Sequence, residues 1–333
     1  MKALVANQYG PPNLFSVEDL PIPEPGPGQL QVRVGAAAIN PADLLMTGGA
    51  VRDMVPLDFP YIPGTDFAGT VTRLGPGVAG FEVGEAVFGF GAPPSFAAGV
   101  GISAMTSGAM AEYAIFQAGD FLARRPDGLS VEVAAVLPST AMTGLAVVVV
   151  GGFVPGEKVL VIGASGGIGS VVVPLLAGQA EIIATATSED EGYVRSLGAD
   201  TVIDYLTADV IEETLRLHPG GVDAIINLAL KGEALLAAAR AVRPGGRLLS
   251  TTPGTPEAST FGRDDLSVNV VMGTLLLKSD TLPTIAARAL DGTLPDPVSR
   301  RYRLDDAVRA YQDFADGHSR GKVVVSMAEE LAR

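Results

Sequence analysis

The sequence predicts an α/β protein made of a β-rich region and a doubly wound parallel sheet. Three observations lead to this fold class. A glycine-rich turn at residues 163–169 joins an apolar strand to a helix, strands and helices alternate after it, and short β-type runs between Gly/Pro turns precede it. The 333 residues suit two domains. We place the β-rich domain at residues 1–122, completed by 278–333, and the parallel-sheet domain at 123–277.

The N-terminal region shows no alternation of strand and helix. Its β-type runs lie between turns such as Pro23–Gly28 and Leu74–Gly77. Many short strands with such turns are typical of a compact, barrel-like β domain. The predicted strands are Lys2–Asn7, Leu30–Ile39, Thr70–Leu74, Ala86–Phe90 and Glu112–Phe116.

Two helices, Ser130–Leu137 and Ser139–Val150, are predicted before the glycine-rich turn. No charged residue lies between Glu132 and Glu157, and a stretch of this length would suffice for a membrane span. Because Pro138, several hydroxyl residues and glycines interrupt it, we interpret the stretch as buried helix.

The glycine-rich turn follows the apolar run Lys158–Ile162 and precedes the helical run Val171–Leu176. In this context glycines let the backbone approach a pyrophosphate, and the helix N-terminus offers free N–H groups. The alternative is a Gly-rich turn in some other α/β protein, and the order of strand, turn and helix favours the nucleotide. The residues assigned to cofactor binding here are Gly163, Ala164, Ser165, Gly166, Gly167, Ile168 and Gly169.

Strands and helices alternate after the turn, as a parallel sheet requires. The predicted strands are Glu181–Ala186, Val202–Asp204, Val222–Asn227, Arg247–Thr251 and an edge strand near Val268–Leu277. The predicted helices between them are Glu189–Leu197, Thr207–Leu217 and Gly232–Val242. A helix at Leu282–Asp291, a strand at Val298–Tyr302, a helix at Leu304–Gly317 and a strand at Lys322–Ser326 follow.

Composition excludes several classes of function. The formal net charge of −14 argues against binding to nucleic acid or an anionic membrane, since both demand clustered positive charge. The chain has no cysteine, which removes disulfides and thiolate metal sites and fits a reducing, cytoplasmic compartment. The N-terminal residues lack the long apolar core of a signal peptide.

Seven short motifs, in this order along the chain, carry a family resemblance. They are Asn40–Asp43, Pro63–Gly69 with Val71 and Gly75–Val78, Ala111–Ala114, Ala134-Ala135 with Met142–Gly144, the glycine-rich turn, Gly198–Asp200, and His318–Val323. With them the chain resembles the medium-chain dehydrogenase/reductase superfamily, in its zinc-free, quinone oxidoreductase-like branch, nearly end to end. The resemblance implies a GroES-like N-terminal domain completed by C-terminal residues, a Rossmann domain, and an active cleft at their junction.

Zinc-dependent relatives carry a metal ligand at the positions of Asn40, Thr65 and Ser139 in this chain. None of these three is a cysteine or histidine, and neutral amide and hydroxyl oxygens make a poor zinc site. The two histidines, His218 and His318, lie elsewhere in the sequence. We therefore expect no catalytic metal.

Without a Lewis acid, hydride transfer is expected to an electrophilic π-system such as a quinone or an enone. Candidate catalytic residues are Asn40 as a hydrogen-bond donor, Asp43, and Thr143, which matches a family threonine beside the nicotinamide. Each also has a structural alternative. Asn40 is then a capping amide before Pro41, Asp43 a carboxylate in the first turn of a helix, and Thr143 a helix threonine whose hydroxyl bonds to its own turn. Relatives often carry tyrosines after the Asn-Pro motif, where this chain has apolar residues, so the proton donor stays open.

The end of the second parallel strand bears on the choice of cofactor. NAD-specific folds place an acid there, whereas this chain has Thr187 and Ser188, which resemble the users of NADPH. Glu189–Glu191 is unfavourable to a phosphate unless it points outward. Arg195, also assigned to cofactor binding, lies one helical turn beyond and is expected to face solvent. We expect NADPH rather than NADH. Asn227 and Lys322 are also assigned to cofactor binding.

The leading functional prediction is an NADPH-dependent, zinc-independent reductase of quinones or α,β-unsaturated carbonyl compounds. Alternatives are an enoyl-thioester reductase on the same scaffold and a non-catalytic NADP(H)-binding protein. The expected partners are a small apolar substrate and a second copy of the chain, paired through the edge strand, with no nucleic acid and no membrane.

Overall fold

The computed structural model describes residues 1–94, 97, 104–105, 108–119, 121–273, 278, 280–317 and 320–327. These residues form two compact units. The first unit comprises Met1–Ser139, Leu277–Leu290 and Asp296–Arg333, and the second comprises Thr140–Leu276 and Asp291–Pro295.

The first unit is built mainly of antiparallel strands. Its N-terminal elements are β1 (Lys2–Val5), β2 (Ser16–Asp19), β3 (Gln29–Ala38), α1 (Pro41–Thr47), β4 (Asp66–Leu74), β5 (Ala86–Phe90), β6 (Tyr113–Gln117), β7 (Leu122–Arg124) and α2 (Val131–Val136), with a 3₁₀ turn at Pro12–Leu14. β1 and β2 form a two-stranded sheet, and β3 to β7 belong to a seven-stranded sheet. The β-rich N-terminal region predicted from the Gly/Pro turns is present.

The second unit contains the predicted parallel sheet. Its elements are α3 (Pro138–Gly151), β8 (Lys158–Ile162), α4 (Gly169–Leu176), β9 (Glu181–Ala186), α5 (Glu191–Ser196), β10 (Thr201–Asp204), α6 (Val210–Leu217), β11 (Val222–Asn227), α7 (Gly232–Ala238), β12 (Val242–Ser250) and β13 (Ser267–Val270), with 3₁₀ turns at Ala239–Ala241 and Ala258–Phe261. The strand order is β10-β9-β8-β11-β12-β13, and every pairing is parallel. Buried Val, Ile and Leu side chains of β8, β9 and β11 fill the core on both faces of the sheet.

The C-terminal elements return to the first unit. They are α8 (Thr281–Leu290), β14 (Val298–Arg303), α9 (Ala307–Ala315) and β15 (Lys322–Ser326), with a 3₁₀ turn at Leu304–Asp306. β15 pairs antiparallel with β3 and parallel with β14, which forms one edge of the seven-stranded sheet. C-terminal residues therefore complete the β-rich sheet.

The first unit runs past the predicted boundary at residue 122 because α2 packs on its sheet. A Cβ added to Gly35 in β3 would lie 2.7 Å from Val131 Cγ2. This glycine lets the helix approach the strand closely. Among the described residues, no helix is long and apolar enough to span a membrane.

Two predictions for the edge of the parallel sheet need correction. The observed strand β13 ends at Val270, and residues 274–277 of the predicted strand lie outside the described residues. The neighbouring strand β12 begins at Val242 and not at the predicted Arg247, so that the turn-forming residues Pro244–Gly246 lie within it. The β11–β12 register shifts between Val222 and Ala224, which accommodates these residues as an irregularity of the ladder.

Candidate active site

The glycine-rich turn of the second unit lies at the carboxyl end of β8, next to β11. Here the strand order reverses, and open parallel sheets bind ligands at such a point. Gly163 has φ +85°, a conformation that L side chains rarely adopt, and its N–H donates to Thr185 Oγ1 at 3.1 Å. A Cβ at Gly163 would lie 3.3 Å from the Cβ atoms of Leu228 and Ala229. The turn is thus held between the ends of β9 and β11.

Gly169 opens α4 at a position where no side chain fits. A Cβ there would lie 2.3 Å from the carbonyl oxygen of Ala164. The helix start therefore packs directly on the backbone of the turn. Gly166, Gly167 and Ile168 at the tip of the turn are half-buried, whereas Ala164 and Ser165 are buried. The turn offers accessible backbone to a ligand and fits the pyrophosphate of a dinucleotide.

Asn227, at the end of β11, is fully buried. Its Oδ1 accepts from Leu230 N at 2.8 Å, and its Nδ2 donates to Leu230 O and Ser250 Oγ, both at 3.0 Å. Nδ2 also lies 3.1 Å from Thr252 Oγ1. Since these bonds occupy the amide, Asn227 shapes the loop after β11, and any effect on a bound cofactor passes through that loop.

The tip of β9 presents the predicted hydroxyls. Thr187 is half-buried and Ser188 is exposed. Arg195, by contrast, donates to Glu191 Oε1 at 2.8 Å and to Asp200 O at 3.0 Å, and these contacts hold it along α5. Tyr205 follows β10, and its backbone N–H donates to the carbonyl oxygen of Ala186 at the end of β9, at 3.4 Å.

Thr143 lies half-buried in α3, in the second unit. The backbone beyond β13 passes close to it, because a Cβ at Gly273 would lie 2.6 Å from Thr143 Oγ1 and 3.0 Å from Thr143 N. Thr143 thus belongs to the unit of the glycine-rich turn, whereas Asn40, Asp43 and Lys322 lie in the first unit.

In the first unit, a buried polar cluster forms around Asn40, which precedes α1. Asn40 Nδ2 donates to Thr65 Oγ1 at 3.2 Å and to Asp66 Oδ2 at 3.1 Å. Its Oδ1 accepts from Lys322 Nζ at 2.5 Å, and Lys322 Nζ also donates to Ile39 O at 3.1 Å. Ser139 completes the cluster: its Oγ donates to Asp66 Oδ2 at 2.5 Å and lies 3.4 Å from Asn40 Oδ1. We call these five side chains, Asn40, Thr65, Asp66, Ser139 and Lys322, the Asn40 cluster.

Asp43 lies in the first turn of α1 and is fully buried. Its Oδ2 accepts from Asn40 N at 2.8 Å, and its Oδ1 accepts from Gly64 N at 3.3 Å. These bonds cap the helix and tie it to the segment before β4. The geometry corresponds to the structural alternative for Asp43, a carboxylate in a helix first turn.

Burial controls the charges around Asn40. Loss of solvation raises the pKa of Asp66 to about 6, against the opposing effects of the Lys322 ammonium and of hydrogen bonds from Ser139 and Asn40. It raises the pKa of Asp43 to about 7, against the hydrogen bonds from Asn40 and Gly64 and the nearby Lys322. The pKa of Lys322 is lowered by burial, although Asp66 and Asp43 oppose this shift. The site therefore holds one cation and two carboxyl groups out of water.

Two tyrosines lie near Asp43. Tyr311 is fully buried, and neither its hydroxyl nor that of Tyr61 has a hydrogen-bond partner among the described residues. Burial and the Asp43 carboxylate raise the pKa of both phenols above the usual value. The phenols therefore stay protonated at neutral pH.

The structure brings the three sequence positions at which zinc-dependent relatives carry ligands into one cluster, through the contacts of Asn40 with Thr65 and Ser139. It adds Asp66, which the sequence reasoning did not assign, and Lys322, which was assigned to the cofactor. Members of the cluster lie up to 282 residues apart in the sequence, as Asn40 and Lys322 do, so no local sequence pattern predicts the cluster. In the part of the chain that is described, no group of three or more His, Cys, Asp or Glu side chains could hold a metal. His218 lies beside Glu181, and His318 lies outside the described residues.

Comparisons with known proteins agree with this architecture. Residues 26–127 match the family model of the alcohol dehydrogenase GroES-like domain, and residues 197–325 match the model described as zinc-binding dehydrogenase. The chain is 29% identical over 342 residues to the chloroplastic quinone-oxidoreductase QR1 of Triphysaria versicolor, covering 98% of each protein.

Two further matches span nearly the whole chain. The chloroplastic NADPH-dependent alkenal/one oxidoreductase of Arabidopsis thaliana is 32% identical over 338 residues, which cover 98% of this chain and 79% of that protein. The solved structure of the quinone oxidoreductase from Coxiella burnetii superposes with a TM-score of 0.86 at 26% identity, covering 98% of this chain and 99% of that one. The chain therefore belongs to the medium-chain dehydrogenase/reductase superfamily, in its quinone oxidoreductase-like branch of nicotinamide-dependent oxidoreductases.

Proposed function

We propose that this oxidoreductase is an NADPH-dependent, zinc-independent reductase that transfers hydride to a quinone or to the β-carbon of an α,β-unsaturated carbonyl compound. The observation that carries the proposal is the Asn40 cluster, in which an amide, two hydroxyls, one carboxyl group and a lysine ammonium bond to one another at the positions where zinc-dependent relatives carry ligands. The names of a quinone oxidoreductase and an alkenal/one oxidoreductase among the relatives support the acceptor class.

Zinc does not fit the Asn40 cluster. Asn40, Thr65 and Ser139 offer neutral oxygens, which are poor ligands for zinc. The one carboxyl group of the cluster, that of Asp66, already accepts hydrogen bonds from Ser139 and Asn40. Asn40 Oδ1 already accepts a hydrogen bond from the Lys322 ammonium, and a second cation at that oxygen would be repelled. Acceptors that need strong polarisation by a metal, such as simple ketones, are therefore disfavoured relative to enones and quinones.

A nicotinamide nucleotide fits the second unit. The glycine-rich turn would hold its pyrophosphate, and the nucleotide would supply the hydride. NADPH is preferred because Thr187 and Ser188 at the tip of β9 present hydroxyls where NAD-specific folds carry an acid that repels a 2′-phosphate. Arg195 is not needed for this preference, since Glu191 and Asp200 engage its guanidinium.

The test is a fluorescence titration of NADPH and of NADH with purified protein, followed in the same cuvette by a quinone, an unsaturated ketone and an enoyl thioester. Tighter binding of NADPH with oxidation by the quinone or the ketone is the expected result. Oxidation by the thioester alone would favour the enoyl-thioester alternative. Binding without oxidation by any acceptor would favour a non-catalytic nucleotide-binding protein and contradict the proposal.

We also propose that two copies of the chain pair through β13, the edge strand of the parallel sheet. Val270 and Met272 are 56% and 51% exposed, and an open apolar edge invites pairing. Val270→Lys should then convert a dimer to a monomer in light scattering. A monomeric mass for the unmodified protein at working concentration would contradict the pairing.

A further inference from the structure

Asn40 has no amide hydrogen left for a substrate. Its orientation is fixed by chemistry, because the Lys322 ammonium can only donate and an ionised Asp66 carboxylate can only accept. Oδ1 therefore faces Lys322, and the two hydrogens of Nδ2 point to Asp66 Oδ2 and Thr65 Oγ1. The donor role expected of Asn40 would require these bonds to break.

The hydroxyl hydrogen of Thr65 donates to no other member of the cluster. Its Oγ1 accepts from Asn40 Nδ2 at 3.2 Å, and no acceptor for its own hydrogen lies among the described residues. The Ser139 hydroxyl differs, since it donates to Asp66 Oδ2. Thr65 is 2% exposed, whereas Ser139 is half-buried, so Ser139 forms the more exposed side of the cluster.

We propose that the Thr65 hydroxyl donates a hydrogen bond to the carbonyl oxygen of the substrate, and that Asn40 is the positioning residue that orients it. This inference rests on the proposed function. Hydride addition to the β-carbon moves the π electrons to the carbonyl oxygen, which becomes an enolate oxygen. Thr65 stabilises that oxygen and keeps its own proton, and solvent water protonates the α-carbon.

The cluster improves Thr65 as a donor. The Lys322 ammonium polarises the Asn40 carbonyl, and the Asn40 N–H in turn polarises the Thr65 oxygen, so successive hydrogen bonds strengthen the last one. Because the cluster is buried, the same hydrogen bond is electrostatically stronger than it would be in water. A fixed donor of this kind stabilises charge that develops during the reaction.

The test compares Thr65→Val, which removes the hydroxyl at nearly constant shape, with Thr65→Ser, which keeps it. We expect kcat with an unsaturated ketone to fall about 100-fold in Thr65→Val, as for loss of one oxyanion donor, and to stay within about threefold in Thr65→Ser. The dissociation constant of NADPH should not change. Thr214→Val is the matched control, because Thr214 is fully buried and its hydroxyl donates to Val210 O within α6.

A merely structural role would not distinguish between acceptors. The oxyanion of a reduced quinone is less basic than an aliphatic enolate, so Thr65→Val should lose less kcat with a quinone than with the ketone. Equal kcat in Thr65→Val and the unmodified protein, or equally slow Thr65→Val and Thr65→Ser, would overturn the inference while leaving the reductase intact. If none of the tested acceptors oxidises NADPH in the presence of the unmodified protein, the proposed function is wrong, and the inference is wrong with it. Should Thr65→Val not fold, Thr65→Ala carries the same expectation.

Discussion

The glycine-rich turn and the Asn40 cluster are built in opposite ways. The turn uses backbone atoms of seven consecutive residues, 163–169, and Gly169 works by having no side chain. The cluster uses side chains of five residues spread from Asn40 to Lys322, held by mutual hydrogen bonds. Gly169 leaves no room for an added atom, whereas the cluster depends on the positive charge of Lys322.

This difference determines how each region should fail. A group added to the turn displaces backbone and should weaken nucleotide binding with little change in buried charge. Removal of the Lys322 charge leaves two buried carboxyl groups uncompensated, so stability should suffer first.

Lys322→Met should lower the free energy of unfolding by about 3–5 kcal/mol, because it leaves Asp66 and Asp43 without their buried cation. Urea unfolding followed by circular dichroism measures the change. The control is Lys2→Met, since Lys2 forms an exposed pair with Asp305 and should alter stability little.

Adding Asp66→Asn to Lys322→Met should recover part of the loss, since the charge left behind is then removed. If Lys322→Met cost less than about 1 kcal/mol, the buried cation would not hold the cluster together, and the contrast between the two regions would fail.

Gly169→Ala should weaken NADPH binding about 100-fold. The added Cβ would lie 2.3 Å from Ala164 O, and displacement of binding groups by about 1 Å costs an effect of this size. Fluorescence titration measures it. Gly192→Ala is the matched control, because a Cβ there meets no atom within 4 Å and alanine suits the interior of α5. Unchanged affinity in Gly169→Ala would show that the turn does not bind the nucleotide.

The dependence of stability on pH should reveal Asp66. Its pKa is raised to about 6 in the folded protein, so between about pH 4 and 6 the folded state keeps a proton that the unfolded state loses. Asp66 should therefore lower the free energy of unfolding by about 3 kcal/mol as pH rises through this window, and Asp43 should add to the fall. Asp66→Asn should flatten that part of the profile, and Asp43→Asn should flatten it as far as about pH 7. Parallel profiles for the variants and the unmodified protein would contradict the raised pKa values.

Ser188→Asp should reduce the preference for NADPH over NADH about tenfold, because a carboxylate at the tip of β9 repels a 2′-phosphate and accepts from ribose hydroxyls. The ratio of the two dissociation constants measures the effect. Ser196→Asp, exposed near the far end of α5, should leave the ratio unchanged. A preference for NADH in the unmodified protein would refute the interpretation of Thr187 and Ser188.

Local patterns in the sequence predicted much of the second unit. The bounds of β8, β9 and β11 match the predicted strands, because buried parallel strands are short, continuous apolar runs. The start of β12 was not predicted, since Pro244–Gly246 favour a turn by themselves and pairing with β11 overrides that preference.

The cluster could not be assembled from the sequence in the same way. Asn40, Thr65 and Ser139 were placed together through a family resemblance, but nothing local shows that Lys322 Nζ contacts Asn40 or that Asp66 is buried beside it. Such contacts depend on the pairing of β15 with β3, which joins residues more than 280 positions apart. The partners of Asn40 therefore emerged only from the fold.

A single turnover with NADPH deuterated at the transferable C4 position and an unsaturated ketone tests direct hydride transfer. The expected product is a saturated ketone that carries deuterium at its β-carbon and a solvent hydrogen at its α-carbon. A product with no deuterium at the β-carbon would contradict direct hydride transfer. Bound NADPH that yields no product would contradict the proposed reductase.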